Sequence, residues 1–369
     1  VVVEGAPRRF VALDSWRGIA ALMVAAYHIH GPGAVLDSRL LRSGLLWVDF
    51  FFVLSGFVIA AAYSERLAQG FSLRRFAILR LGRVWPLHLA VIALALVLEL
   101  ALWSTNADIY GRTAFTADKD LVSLASAAFL VQIWQDRWVN GWNQPGWSIS
   151  AEICAYLAAA LIWRFVPRKA NLAFATLFAM AVVAWWLDWW TRHQIWALVR
   201  VFLGFPMGVL AWEIHRRFIV KRISLGGLTA AECASALGLL AGITFSDSVP
   251  QPIEGLLFGF VVLVYARDGG LISRLLAGKL PVMLGTISYA IYMVHVPVIR
   301  RICDLAELVQ GSWAIPGIRF DRSTMEMTGS PLIVDLAAGI LLVVVVAVAW
   351  LCWRNIEQPA REWSRRLAS

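Results

Sequence analysis

Several ionisable side chains stand inside stretches that are otherwise too apolar to hold them. Residues 10–30 carry Arg17 and His28, eleven positions apart. At about 100° per residue that is three turns plus about 20°, so both fall on one helix face, about 16 Å apart along the axis. One stripe then carries a permanent cation near one end and, near the other, an imidazole that can take a proton around neutral pH. A snorkelling arginine and an interfacial histidine are the plainer reading of the same pair. The next apolar stretch opens Trp47-Val48-Asp49-Phe50-Phe51-Phe52. Asp49 lies about a turn inside it, where an unpaired carboxylate is costly. His28 or a backbone group is its expected partner. Ser55-Gly56 reads as a close helix contact.

Three further groups have chemical spacing. Arg80 and Arg83, in the run Arg80-Leu81-Gly82-Arg83-Val84-Trp85-Pro86, share a face at i, i+3. Two guanidiniums on one face suit phosphate, either a CoA-like nucleotide tail or phospholipid headgroups. Ser148 and Glu152, in Trp147-Ser148-Ile149-Ser150-Ala151-Glu152, are neighbours at i, i+4. Ser148 has the type of a helix cap, whereas Glu152 lies a turn deeper. Tyr292 and His295 share a face at i, i+3, with Pro297 just beyond as a source of a kink. A buried structural histidine is the alternative there.

The elements that must position these groups are membrane helices. The 369 residues are 60% hydrophobic and 15% charged, against about 25% charged in soluble domains. The mean hydropathy is +0.70. A bilayer core needs about 20 apolar residues per crossing, and such stretches occur at 10–30, 44–64, 84–103, 148–165, 171–190, 195–214, 226–245, 252–267, 280–302 and 331–353. The expected fold is one all-α, membrane-embedded domain over 1–369, with about ten spanning helices and both termini cytoplasmic. Segment 121–135 is apolar but short, and reads as a re-entrant or interfacial piece. The long outer loops are 104–147 and 303–330.

Orientation follows from the basic residues, which favour cytoplasmic loops. Placing Arg8 and Arg9, Arg66 to Arg83, Arg164 to Lys169, Arg216 to Arg222, Arg267 to Lys279 and Arg354 to Arg366 inside gathers about twice as many Lys and Arg there as outside. His28, Asp49, Glu152 and His295 then share the outer half, with Arg80 and Arg83 at the inner rim. The net charge of +9 therefore reports orientation, and no separate basic region exists to carry nucleic acid. The 19 tryptophans and 7 tyrosines suit bilayer interfaces. Cys154, Cys233, Cys303 and Cys352 form no metal or disulfide spacing. No cleavable leader is evident.

Together the segments Leu13-Asp14-Ser15-Trp16-Arg17-Gly18 through His28, Val48 to Gly56, Arg80 to Pro86, Trp147 to Glu152, Ile287 to His295 and Ile356-Glu357-Gln358-Pro359 resemble the acyltransferase 3 family of bacterial membrane O-acyltransferases. They run in family order over nearly the whole chain. Ser15 and Trp16 replace the commoner glycine and leucine-like pair, and Ala151 replaces valine, without removing a reactive group. The resemblance implies a ten-helix fold in the bacterial inner membrane, acyl-CoA (acetyl-CoA in the default case) as donor, and a glycan or glycosylated small-molecule hydroxyl as acceptor. No appended hydrolase-like domain and no metal are expected.

The resulting assignments make His28, Glu152, Asp49 and His295 catalytic. Arg17, Arg80 and Arg83 hold CoA. Trp147, Ser148, Ser150 and Tyr292 contact substrate. In this scheme His28 is the general base on the acceptor hydroxyl, or forms an acyl-histidine. Glu152 or Asp49 steadies it, and Tyr292 or His295 donates to the oxyanion. The expected acceptor is a cell-surface or exported polysaccharide, with a macrolide-like molecule as the alternative. The rivals from other classes are a transporter or flippase and an inactive scaffold. The oligomeric state is not legible in the sequence.

Overall fold

Apolar runs of about twenty residues become long helices. The computed structural model describes residues 9–105, 114–115, 119–134, 141–191, 196–218, 223–245, 250–312, 317–321 and 326–368. Of the basic residues that favour an inside N-terminus, Arg8, Lys221 and Arg222 lie outside them. In chain order the helices are α1 (Val11–Tyr27), α2 (Arg39–Arg42), α3 (Trp47–Ala68), α4 (Leu73–Thr105), α5 (Leu121–Ala128), α6 (Gly146–Phe165), α7 (Ala170–Thr191) and α8 (Trp196–Phe218). Next come α9 (Leu225–Thr244), α10 (Gln251–Tyr265), α11 (Leu271–Leu276), α12 (Lys279–Thr286) and α13 (Ser288–Ser312). A short antiparallel hairpin of β1 (Ile318–Asp321) and β2 (Glu326–Gly329) precedes α14 (Pro331–Cys352). A π-helical turn, Trp353–Glu357, joins α14 to α15 (Gln358–Ala368).

Among the described residues, seven helices are long and apolar enough to cross a membrane, or eight if the bent pair α12–α13 counts as one span. The expected count was about ten. The shortfall lies in α1, with 17 residues, and α10, with 15. Leu332, Leu336, Ile340, Val343 and Leu351 of α14, and Leu94, Val97 and Leu100 of α4, face outward. Outer faces this apolar belong against lipid, so the fold is that of a multi-pass membrane protein.

Two contacts set the centre of the bundle. A Cβ built on Gly208 would lie 1.8 Å from the Val53 carbonyl oxygen, and one on Gly56 would lie 2.0 Å from that of Phe205. Small residues thus let α3 and α8 touch backbone to backbone, the contact expected of Gly56. Likewise α1 meets α12 where a Cβ on Gly18 would sit 2.5 Å from the Gly285 nitrogen. The main break in 280–302 falls at Ile287, where α12 and α13 meet at 70°. It does not fall at Pro297, through which α13 continues.

Two helix starts are capped over long range. Phe10 offers α1 no side-chain acceptor. Asp268 supplies it instead, accepting from the Val11 and Ala12 amides at 3.2 and 2.8 Å and so satisfying orphan donors. Buried Glu232 does the same for α11, accepting from Gly270, Ile272 and Ser273 amides. The 121–135 segment folds as the eight-residue α5 and a 3-10 turn. At about 12 Å, α5 is too short to span. It is tied to the bundle by Trp85 and His88, which donate to the Ala128 and Ala127 carbonyls.

Candidate active site

Two cavities meet inside the bundle. One, of about 760 Å³, is lined by Arg17, Ser55, Arg80, Arg83, Ser148, Glu152, Tyr156, Tyr289 and Tyr292 over an apolar wall that includes Val48, Phe51, Leu54 and Ile59. The other, of about 1720 Å³, is bordered by Arg9, Asp14, Arg17, Arg80, Arg83, Arg361 and Arg365. Arg17, Leu54, Val58, Arg80 and Arg83 border both and form a neck.

The helix period explains who faces this space. On α3, Phe51, Ser55 and Val58 follow at i, i+4 and i+7 and line the cavity. Asp49 is about 240° around the helix from Ser55 and points at α8. There it takes a two-pronged bond from Arg200, with Nε and Nη2 each 2.8 Å from a carboxylate oxygen. Arg200 is 1% exposed, also donates to the Leu45 carbonyl, and stacks on Trp147 and Trp196. Asp49 is therefore not the partner of His28; its charge is taken up by a buried ion pair. Trp147 belongs to the same cluster rather than to the cavity wall. Ser150 donates to the Leu130 carbonyl at 2.5 Å, which anchors the α5 segment and leaves it no cavity contact.

Within the cavity a hydrogen-bonded chain links α3, α4 and α6. Glu152 accepts from Ser55 at 2.5 Å and from the Tyr156 hydroxyl at 2.6 Å. Arg80 donates to that hydroxyl at 3.5 Å and lies over the Tyr156 ring. Glu152 thus supports the arginine end of the site and does not touch His28. Arg17 donates to Ser288 at 2.9 Å and to the Gly285 carbonyl at 3.0 Å, near the C-terminal end of α12, where the helix dipole favours a cation. Tyr289 donates to the Val84 carbonyl.

At the far end, Ser148 does not cap α6. Its hydroxyl donates to the Pro145 carbonyl and so accepts from Tyr292, 2.8 Å away. Tyr292 lies between the cavity and His295, with ring centroids 5.7 Å apart. The His28 and His295 rings meet edge to face at 4.8 Å. Both histidines have Nδ1 beside a carbonyl oxygen, Val24 at 2.9 Å and Tyr292 at 2.7 Å. A carbonyl can only accept, so Nδ1 carries the proton and each Nε2 keeps its lone pair. Buried His295 Nε2 has no hydrogen-bond partner.

The structure thus brings Arg17, Arg80, Arg83, Ser148, Glu152 and Tyr292 around one cavity. It pairs His28 with His295 beyond Tyr292, and sets Asp49, Trp147 and Ser150 apart. Tyr156 and Arg361 also line the joined cavities, and Arg200 is the buried partner of Asp49 outside them. Arg200 was detectable as a charge in an apolar stretch, and Tyr156 as the i+4 neighbour of Glu152. Among the described residues no three His, Cys, Asp or Glu side chains gather as a metal site requires.

A family model described as an acyltransferase domain matches residues 10–354. The chain belongs to the acyltransferase 3 family. Relatives of this acyltransferase 3 chain include Protein 2 in the picA locus of Rhizobium radiobacter, 36% identical over 101 residues, 27% of this chain and 51% of that protein. Acyltransferase MdmB of Streptomyces mycarofaciens is 32% identical over 175 residues, 44% of this chain and 42% of its own. O-acetyltransferase OatA of Staphylococcus aureus (strain NCTC 8325 / PS 47) is 24% identical over 327 residues, 79% of this chain and 51% of its own. The chain spans about half the length of the curated relatives it matches. No solved structure matches it.

Proposed function

We propose that this protein is an O-acyltransferase of a bacterial cytoplasmic membrane. It takes an acyl group, acetyl in the simplest case, from cytoplasmic acyl-CoA and places it on a hydroxyl of a surface or exported polysaccharide. The observation that carries this reading is the joined cavity system. Arginines surround the wide end, an apolar passage follows, and two histidines with available Nε2 atoms stand beyond its far wall.

In this scheme CoA phosphates rest on Arg80 and Arg83. Arg17 stands where the pantetheine arm enters the apolar passage, and the thioester advances toward Tyr292 and the histidines. His28 Nε2 takes the proton of the acceptor hydroxyl as its oxygen attacks the thioester carbonyl. The carbon–sulfur bond then breaks, and the imidazolium returns the proton to the CoA thiolate. His295 lies close enough to share the load of orienting His28. Tyr292 reaches the developing oxyanion by turning its hydroxyl from Ser148. The Glu152–Tyr156–Arg80 chain positions the donor. The name OatA, an O-acetyltransferase, and the name MdmB, an acyltransferase, both favour this chemistry.

The same reading has α1 and α10 cross the membrane, giving ten crossings with both termini cytoplasmic. Asp268, just past α10, caps the start of α1. Beyond the end of α1, the His30 carbonyl accepts from Met327 and the Val35 and Leu36 amides donate to Asp335 of α14. These ties at both ends support the reading of α1 as a crossing.

The test is transfer of label from radiolabelled acetyl-CoA by the purified full chain, with His28→Ala alongside. Loss of a general base predicts about a hundredfold or greater fall in rate. An unimpaired His28→Ala enzyme would end the proposal. A transporter would leave CoA with no role. Mass spectrometry of surface glycans from a deletion strain, searched for a missing acetyl group, identifies the acceptor.

A further inference from the structure

The arginines around the joined cavities form two sets. Arg17, Arg80 and Arg83 stand at the neck, whereas Arg9, Arg361 and Arg365 border the wide cavity alone. Asp14 is the one carboxylate lining the wide cavity among the described residues, and it already meets Arg9 at 2.8 Å and Arg17 at 3.2 Å. Buried Glu357 reaches Arg361 at 3.6 Å. Arg83 and Arg365 pair with no carboxylate among the described residues. With Glu152, which reaches Arg80 through Tyr156, six guanidiniums stand against three carboxylates, a positive excess in a partly desolvated site, which calls for a polyanion.

The rim set is held in place by the fold. Arg361 and Arg365 share a face of α15 at i, i+4. Ser364 on that helix is buried against Gly82, one residue before Arg83; a Cβ on Gly82 would lie 2.2 Å from the Ser364 Cβ. The π-helical turn Trp353–Glu357 holds one extra residue, which shifts the helix phase and sets which face α15 presents. Thus α15 is docked on the Arg80–Arg83 turn with its own arginines at the cavity rim.

We propose that the two sets read two different phosphates of the donor. Arg80 and Arg83 of the neck grip the diphosphate, and the rim set, Arg361 and Arg365 with Arg9, grips the ribose 3′-phosphate, a monoester carrying about −1.5 to −2 charges near neutral pH. The C-terminal helix is then a specificity element that selects CoA over donors lacking the 3′-phosphate. This rests on the acyl-CoA reading above.

Equilibrium binding of CoA and of 3′-dephospho-CoA to the detergent-purified full chain tests it without knowledge of the acceptor. Loss of charge-assisted hydrogen bonds predicts that the wild-type protein binds CoA about tenfold to a hundredfold more tightly. Arg361→Gln and Arg365→Gln should each shrink that ratio, and together bring it near one. Arg366→Gln, on the same helix but outside the cavity lining, should leave the ratio intact. Because the wild-type comparison needs no substitution, a variant that fails to fold does not decide the matter. Equal binding of the two nucleotides, or an equal loss of both in the variants, overturns the 3′-phosphate assignment while the donor reading stands. Binding of neither overturns the donor reading and this inference with it.

Discussion

Arg200 carries its charge at 1% exposure, and its surroundings are arranged to make that tolerable. Asp49 grips two of its nitrogens, Leu45 accepts from one of them, and two indole rings flank its face. Removing one partner of such a pair leaves a buried charge without compensation, which costs about 3–5 kcal/mol. Asp49→Asn should therefore destabilise the purified protein by about that amount, read as a loss of heat-resistant monodisperse protein. The double change Asp49→Leu with Arg200→Met should recover most of it, because an apolar pair replaces the ion pair. A double variant as unstable as the single one would count against a structural pair. Tyr156→Phe acts on the site instead, removing the hydroxyl that joins Glu152 to Arg80. It should raise the KM for acyl-CoA several-fold with a smaller effect on kcat, the signature of lost ground-state binding. The sequence shows Asp49 and Arg200 equally, each as a charge in an apolar stretch. Their pairing depends on which face of α3 meets α8, so spacing along one helix could not supply it. Arg17 and His28 were legible together because one helix relates them, Arg17 within α1 and His28 at its C-terminal cap.

At the scale of elements, contacts without side chains decide the architecture. The α3–α8 crossing leaves no room for a Cβ at Gly208, which would stand 1.8 Å from the Val53 carbonyl oxygen. Gly208→Val should separate the two helices, pull Ser55 from Glu152, and abolish folded protein on size-exclusion chromatography. Gly339→Ala is the contrasting case, because nothing lies within 4 Å of a Cβ there. It should be neutral or slightly stabilising, since alanine is the better helix former. Equal behaviour of the two variants would mean that α3 and α8 do not touch backbone to backbone. Gly56 announced its role in the sequence through the neighbouring small residue Ser55. Gly208 did not, and neither did the bend at Ile287. An apolar run such as 280–302 has the same composition whether it is one helix or two at 70°. The short helix α5 was legible because it lacks the length to span.

The whole molecule works as a conduit only if its two ends open to different compartments. The demand falls on α1, which carries an arginine of the neck and ends at a histidine of the far end. Its 17 residues rise about 25 Å, less than a full apolar core of about 30 Å. If α1 crosses, the wide cavity beside its arginine end shortens the apolar depth it must cover. A bilayer can also thin around a short helix at modest cost. The charge pattern that favours an inside N-terminus was readable from the sequence, but the start of α1 is set by Asp268, a contact from beyond α10 that spacing along one helix does not show. Cysteine labelling decides the outcome. In a background with Cys154, Cys233, Cys303 and Cys352 replaced, an impermeant maleimide added to intact cells should label Ala34→Cys. It should leave Ser72→Cys, Arg366→Cys and a cysteine appended to the N-terminus unlabelled until the membrane is opened. If the appended cysteine labels along with Ala34→Cys, α1 enters and leaves on one side. Arg17 and His28 would then no longer link two compartments, and a donor entering from the cytoplasm could not meet an acceptor outside along this helix.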